Sequence, residues 1–244
     1  MHKYKLKIEY DGSNFVGWQK QNNGISIQES IEQAIFELTG EKTIVFGAGR
    51  TDAGVHALGQ VAHFDLKKNF NIDKVRDGLN HHLRHNQIAI LKVENASDSF
   101  HARFSAKQRT YEYLITNRRA PLTIKKNKSW SIFKTIELEK MRYEANFFIG
   151  KHDLQAFRSI DCQSNTSIKT IDEIKISKNN ENLNISISAK SFLHSQVRIM
   201  VGTLVEIGKG KITESITQII KSKDRTRAGV TAPAHGLYLV KVNY

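Results

Sequence analysis

Apolar and charged residues alternate without a break at the start of the chain. Tyr4, Leu6, Ile8 and Tyr10 each follow a lysine or a glutamate. A period of two residues predicts a β-strand with one face in the core and the other in water. Such half-wetted strands are typical of antiparallel sheets, because parallel sheets bury both faces. The chain is therefore expected to build an antiparallel sheet that is covered on one face.

Segments of helical periodicity lie between the predicted strands. Ser26 has Glu29 three residues later, the spacing of a capping box, and a stripe of apolar residues then runs to Gly40. Glycine at that position is expected to end the helix. Further helices are predicted at residues 72–83, 138–148, 197–208 and 216–220. Strands are predicted at residues 43–46, 59–65, 88–93, 110–116, 171–176, 183–187 and 237–242.

The order of these segments predicts an α+β fold, with a mainly antiparallel sheet flanked by helices. Both halves of the chain contain a similar set of strands and helices, although their sequences differ too much to demonstrate a repeat. We therefore predict two similar subdomains, residues 1–104 and residues 105–244, with a cleft between them.

The chain is strongly basic. It has 37 lysine and arginine residues against 24 aspartate and glutamate residues, which gives a formal net charge of +13. An excess of this size favours a polyanionic partner, which is nucleic acid or, less often, an anionic membrane. No block of five consecutive basic residues occurs, so the charge is spread over the folded body. The alternative is a basic solvated surface without a partner.

Cysteine and histidine usage gives little support for a metal site. Cys162 is the only cysteine, so no intrachain disulfide and no cysteine zinc site can form. His81, His82 and His85 are close enough in sequence for a metal site on a helix. No glutamate stands in the position that zinc proteases use, however, so we expect no bound metal.

The hydrophobicity pattern gives an expectation of where in the cell the protein is located. The first twelve residues contain no apolar run, so we expect no signal peptide. No stretch of about 18 apolar residues occurs, so we expect no membrane-spanning helix. The cytoplasm is the simplest location that fits both expectations.

The segment from Phe46 to Gly59, FGAGRTDAGVHALG, is the main candidate for chemistry. Its four glycines allow a tight loop that another backbone or a ligand can approach closely. Such a loop would hold Asp52 by its backbone, and Arg50 could pair with a carboxylate or a phosphate. An ionised, partly desolvated carboxylate can act as a nucleophile or a base. The alternative is a simple turn in which Asp52 accepts a backbone N–H.

Basic and aromatic residues interleave in residues 100–104 and 109–113. This pattern suits stacking on RNA bases with phosphates nearby. The alternative is a half-buried strand whose Tyr111 and Tyr113 pack in the core, and we prefer it for Tyr113. Arg198 lies beside the apolar face of its predicted helix, so it points into a cleft unless it is a surface arginine.

Residues 49–57, GRTDAGVHA, resemble the signature of the tRNA pseudouridine synthase A family. Further segments match this family, in the family's order, at residues 10–12, 17–19, 100–103, 109–111, 152–153, 196–198, 201–204 and 232–237. The resemblance runs from residue 4 to residue 242 and implies the family's reaction. In that reaction a uridine in tRNA becomes pseudouridine: the N1–C1′ bond breaks, the uracil turns, and C5 joins C1′.

The resemblance also implies roles for individual residues. Asp52 corresponds to the catalytic aspartate, Tyr111 to the active-site tyrosine, and Arg198 to the basic residue that pairs with the aspartate. The first subdomain would then carry the catalytic aspartate. The residues expected to bind substrate are Arg50, Thr51, His56, Arg103, Arg109 and Tyr111.

The implied substrate is the anticodon stem-loop of tRNA, with uridines 38, 39 and 40 as targets. Members of the family act as homodimers and need neither a cofactor nor a metal. Two other functions stay open at this point. One is a non-catalytic tRNA-binding protein of the same fold, and the other is a nucleic-acid N-glycosylase that releases free uracil.

Overall fold

The protein is described by a computed structural model of residues 1–244, which contains five α-helices and ten β-strands. Contacts divide the chain into two units, residues 1–107 with 238–244, and residues 108–237. Most paired strands are antiparallel, which confirms the predicted mixed fold with a mainly antiparallel arrangement. None of the helices is long and apolar enough to cross a bilayer. The predicted boundary at residues 104 and 105 and the predicted cleft stay predictions.

The first unit contains the strand order β4, β1, β3, β10. β1 pairs antiparallel with β3 and with β4, whereas β10 runs parallel to β3. Tyr4, Leu6 and Ile8 are fully buried on one face of β1, as the alternation predicts. The elements are β1 (His2–Tyr10), α1 (Ile27–Thr39), β2 (Phe46–Gly47), β3 (His56–Leu66), α2 (Ile72–Leu83), β4 (Ile88–Asn95) and β10 (Leu237–Asn243).

The predicted ends of α1 are confirmed. The Ser26 hydroxyl accepts the N–H of Glu29 at 3.2 Å, so it caps the first turn. Gly40 closes the helix with φ of 73°, a left-handed conformation that glycine adopts without a Cβ clash. The apolar stripe of α1 is buried at Ile27, Ile31, Ala34 and Ile35.

The second unit contains the strand order β5, β9, β8, β7, with a short β6 parallel to β5. β8 and β9 form an antiparallel hairpin, and Asn180 in its turn has φ of 53°. Every residue of α4 except Arg198 is buried, so this helix lies in the core of the unit. The elements are β5 (Gln108–Asn117), β6 (Trp130–Ile132), α3 (Leu138–Ala145), β7 (Gly150–Asp153), β8 (Ile168–Asn179), β9 (Asn182–Ala189), α4 (Gln196–Gly208) and α5 (Ile216–Ser222).

The predicted strand at residues 43–46 is wrong in extent, because only Phe46 and Gly47 pair as β2. Before that point, side chains make the hydrogen bonds to backbone groups that strand pairing would otherwise make. The N–H of Val45 donates to the Glu32 carboxylate at 3.0 Å, and the Thr43 hydroxyl donates to the Asp65 carbonyl at 2.9 Å. Short β6 and β7 were not predicted, since three or four residues are too few to show a period.

Candidate active site

The glycine-rich segment connects β2 to β3 in the first unit and forms a tight turn at Asp52. The N–H of Val55 donates to the Asp52 carbonyl at 3.1 Å. Gly54 has φ of 77° at the third position of this turn, where a type II turn requires a left-handed residue. Asp52 is half-buried, so its carboxylate sits at the edge of the folded body. The structure thus shows a turn that is closed by the backbone carbonyl of Asp52, while the Asp52 side chain is half-buried.

The base of this loop is tied to β3. The side-chain amide of Gln60 is fully buried and donates to the Gly49 carbonyl at 2.8 Å. The N–H of Ala48 donates to the Val61 carbonyl at 2.7 Å. Arg50 lies between these ties and the turn, and its side chain is exposed. The loop therefore presents an exposed cation and a half-buried carboxylate two residues apart.

Residues 10–18, which we call the brace, pack directly on the loop backbone. The Tyr10 hydroxyl and the Thr51 hydroxyl are 2.8 Å apart, and both are buried. The N–H of Trp18 donates to the Thr51 carbonyl at 3.0 Å. A Cβ on Gly17 would lie 2.6 Å from that same carbonyl oxygen, so glycine is needed for the approach. The brace fixes the residue immediately before Asp52.

His56 lies behind the loop, at the start of β3, and is only 2% exposed. Its Nδ1 lies 3.0 Å from the backbone nitrogen of Gly12. Asp11 Oδ1 also lies 3.0 Å from this Nδ1. The ring of Tyr238 stacks on His56 with centroids 4.7 Å apart. Burial, together with the negative charge of Asp11, raises the pKa of Tyr238 to about 12.

In the second unit, Arg109, Tyr111 and Tyr113 share one face of β5. Arg109 is 7% exposed and donates through its guanidinium to the Lys190 carbonyl. Tyr111 is 8% exposed, and its ring meets the edge of the Phe192 ring at 5.3 Å. Tyr113 is fully buried, as predicted, and burial raises the pKa of its hydroxyl.

Arg198 lies in the first turn of α4 and is held by a neighbouring segment. Its Nε donates to the Ala232 carbonyl at 2.8 Å, and the Ala232 N–H donates to the Arg198 carbonyl at 3.1 Å. A Cβ on Gly202 would lie 1.8 Å from the Val230 carbonyl oxygen, so this segment touches the helix backbone. Burial lowers the pKa of His235, and the positive charge of Arg198 lowers it further.

The structure places the predicted residues in both units. Arg50, Thr51 and Asp52 lie on one loop, and His56 lies behind it at the start of β3. The sequence interpretation assigned no role to the brace or to residues 229–232. Glycines were the sequence signal that could have identified both segments. Gly12 and Gly17 lie in the brace, and Gly202 and Gly229 lie where residues 229–232 contact α4.

The chain holds no group of three or more histidine, cysteine, aspartate or glutamate side chains placed to bind a metal ion. The three clustered histidines have other neighbours. His82 Nδ1 lies 2.9 Å from the Glu37 carboxylate, and His85 Nε2 accepts the Nε–H of Arg84 at 3.1 Å. His81 meets the ring of His82 edge-on at 5.2 Å.

The chain is similar in sequence to known proteins over nearly its whole length. A sequence model of the family described as tRNA pseudouridine synthase matches residues 7–105 and 145–244. A protein of Ehrlichia chaffeensis named tRNA pseudouridine synthase A is 55% identical over 99% of this chain and 100% of its own length. Proteins of the same name from Wolbachia pipientis wMel and Anaplasma phagocytophilum are 52% and 51% identical, again over 99% of this chain and 100% of their own lengths. The chain therefore belongs to the tRNA pseudouridine synthase family.

Proposed function

We propose that this protein isomerises uridine to pseudouridine in tRNA, at uridines 38, 39 and 40 of the anticodon stem-loop. The observation that carries the proposal is the Asp52 loop, in which a family signature presents one half-buried carboxylate on a braced backbone. The net charge of +13 supports a polyanionic substrate. The isomerisation conserves every atom of the uridine, so no cofactor is consumed.

The reaction needs access to the glycosidic bond. A uridine stacked in a helix hides this bond, so we propose that the target nucleotide is flipped out before the chemistry. Asp52 then acts on the flipped nucleotide by attacking C1′, attacking the base or taking a sugar proton. Tyr111 offers a ring for the uracil to stack on, and Arg198 supplies the positive charge that keeps the aspartate ionised once water is excluded.

The remaining residues divide by exposure. Arg50 and Arg103 are exposed, and we propose that they contact phosphates of the tRNA. Thr51, His56 and Arg109 are also proposed to serve substrate binding, and their burial favours a role in holding the surfaces that touch the RNA. We propose a cytoplasmic homodimer as the active form, and the solution mass of the protein tests the dimer.

Binding of tRNA is expected to depend steeply on salt. A protein that neutralises several phosphates releases their counterions, so log K should fall linearly with log salt with a slope on the order of −4 to −7. Affinity measured for one tRNA between low and high sodium chloride gives this slope. A nearly flat response would mean that the positive charge is a solvated surface without an RNA partner.

Tyr111 provides a second test, because two substitutions separate its ring from its hydroxyl. Tyr111→Phe keeps the ring and is expected to bind tRNA as the wild type does. Tyr111→Ala removes the stacking surface and should weaken capture of the nucleotide by ~1–3 kcal/mol. Affinity and single-turnover rates on the same folded samples give both effects. Wild-type turnover by both variants would make Tyr111 a packing residue only.

The target positions are tested with matched tRNAs. In each of three transcripts, only one of positions 38, 39 and 40 is a uridine, and a fourth transcript carries cytidine at all three positions. We expect pseudouridine at that one position in each of the first three transcripts and at none of the three positions in the fourth. Pseudouridine elsewhere in the fourth transcript would contradict the assigned targets, and binding of all four without conversion would indicate a non-catalytic tRNA-binding protein.

A further inference from the structure

Phe104 is an apolar ring that the fold holds out in solvent, with 76% of its surface exposed. It is the outermost member of a row of rings in the first unit. Its ring centroid lies 4.4 Å from that of His101, and the His101 centroid lies 5.6 Å from that of Phe46. Phe46 in turn stacks at 5.2 Å on His63, which is 2% exposed. The row therefore connects the exposed ring to the core.

The turn that carries Phe104 is fixed by its own hydrogen bonds. The N–H of Ser105 donates to the His101 carbonyl at 2.9 Å, and the N–H of His101 donates to the Ser105 hydroxyl at 3.0 Å. His101 Nδ1 accepts the N–H of Arg103 at 3.1 Å and that of Phe104 at 3.4 Å. A ring on such a turn loses little conformational freedom when a flat ligand stacks on it.

The surroundings of the ring are positively charged. The guanidinium of Arg103 lies 5.7 Å from the centre of the Phe104 ring. Burial and the charges of Lys3 and Arg103 lower the pKa of His101, so this ring is neutral at neutral pH. A neutral aromatic surface beside a cation suits a ligand that is flat and also carries a negative charge. A nucleotide has both properties, because its base stacks and its phosphate is anionic.

We propose that Phe104, supported by His101 and Phe46, is a stacking site for an unpaired RNA base other than the reacting uridine, and that Arg103 binds the adjoining phosphate. The proposal rests on the proposed function, since it assigns the base to the tRNA substrate. A paired base in a helix has both faces covered by its neighbours, so the site selects loop or bulge nucleotides.

The test compares Phe104→Ala and Phe104→Trp with Phe133→Ala, which removes another exposed phenylalanine, 60% exposed and located in the second unit. Phe104→Ala should raise the Kd for tRNA, and the KM for pseudouridine formation, by about 5- to 150-fold. Phe104→Trp and Phe133→Ala should stay within about twofold of the wild type. On a fully paired RNA stem that has no loop, all four proteins should bind equally.

Three results would overturn the proposal. An unchanged Kd in Phe104→Ala means that no base stacks on the ring, and an equal loss on the paired stem means that the ring does not select unpaired bases. A lower solution mass for Phe104→Ala than for the wild type means that the ring binds a second copy of the chain. Failure of the wild type to form pseudouridine would instead refute the proposed function, and the Kd comparison would still decide whether the stacking site exists.

Discussion

Asp52→Asn is expected to lower pseudouridine formation by at least ~10³-fold, since Asp52 is the only carboxylate of the loop, and the Thr51 hydroxyl and His56 imidazole are buried. Asparagine keeps the shape of the side chain and removes its charge. The turn itself should persist, because the bond from the Val55 N–H goes to the Asp52 backbone carbonyl. Affinity for tRNA should stay the same or increase, since one negative charge facing a polyanion is removed. Pseudouridine yield and tRNA affinity are measured on one folded sample.

Asp98→Asn is the matched control for this prediction. Asp98 is exposed in the same unit and lies outside the loop and the brace, so its substitution makes the same change in charge and should leave turnover at the wild-type rate. Thermal melting of both variants establishes that they are folded. Substantial turnover by Asp52→Asn would show that the loop is only a turn and that the catalyst lies elsewhere in the chain.

Gly12→Ala is expected to lower both stability and activity, because the brace touches the loop at this glycine. An added Cβ would lie 2.0 Å from the Val55 carbonyl oxygen and 2.6 Å from its carbon, and both are backbone atoms that no rotamer change can move. Overpacking of this kind costs ~1–3 kcal/mol of unfolding free energy. A shift of the loop by about 1 Å would cost on the order of 10²-fold in rate. Melting temperature and single-turnover rate report the two losses.

Gly40→Ala is the control that distinguishes two causes of a lower rate, a displaced loop and a general loss of stability. Gly40 has φ of 73° at the end of α1, and nothing lies within 4 Å of an added Cβ, so this substitution strains the backbone without a clash. It should cost ~1–2 kcal/mol and leave the rate unchanged. Equal rate losses in Gly12→Ala and Gly40→Ala would show that lowered stability, and not the position of the loop, limits activity. A wild-type rate in Gly12→Ala would show that the brace does not position Asp52.

The elements that the sequence predicts well are those with a local signal. Ser26 and Gly40 define the ends of α1 through contacts within one helical turn. The alternation from Tyr4 to Tyr10 identifies β1, because successive residues of a strand are buried and exposed in turn. The segment around Asp52 is also conspicuous, since the small residues around this one carboxylate are not large enough to build a core by themselves. Its family signature made the function predictable as well.

The contacts that hold the Asp52 loop in place could not be predicted from local sequence patterns. Tyr10 and Thr51 are 41 residues apart, and no local pattern pairs their hydroxyls. The parallel pairing of β10 with β3, which sets Tyr238 beside His56, likewise joins distant parts of the chain. Val45 leaves its predicted strand because Glu32 on a neighbouring helix accepts its N–H. Each of these features depends on tertiary contacts that compete with local propensity.

Nucleoside analysis of tRNA incubated with the purified protein tests the proposed isomerisation most directly. The tRNA is digested to nucleosides, which are separated and weighed by mass spectrometry, and the supernatant is assayed for free uracil. We expect uridine to be replaced, mole for mole, by pseudouridine, an isomer of the same mass that elutes separately, with no uracil released. Unchanged uridine from tRNA that the protein binds would contradict the isomerisation and leave a binding protein, and free uracil would identify an N-glycosylase.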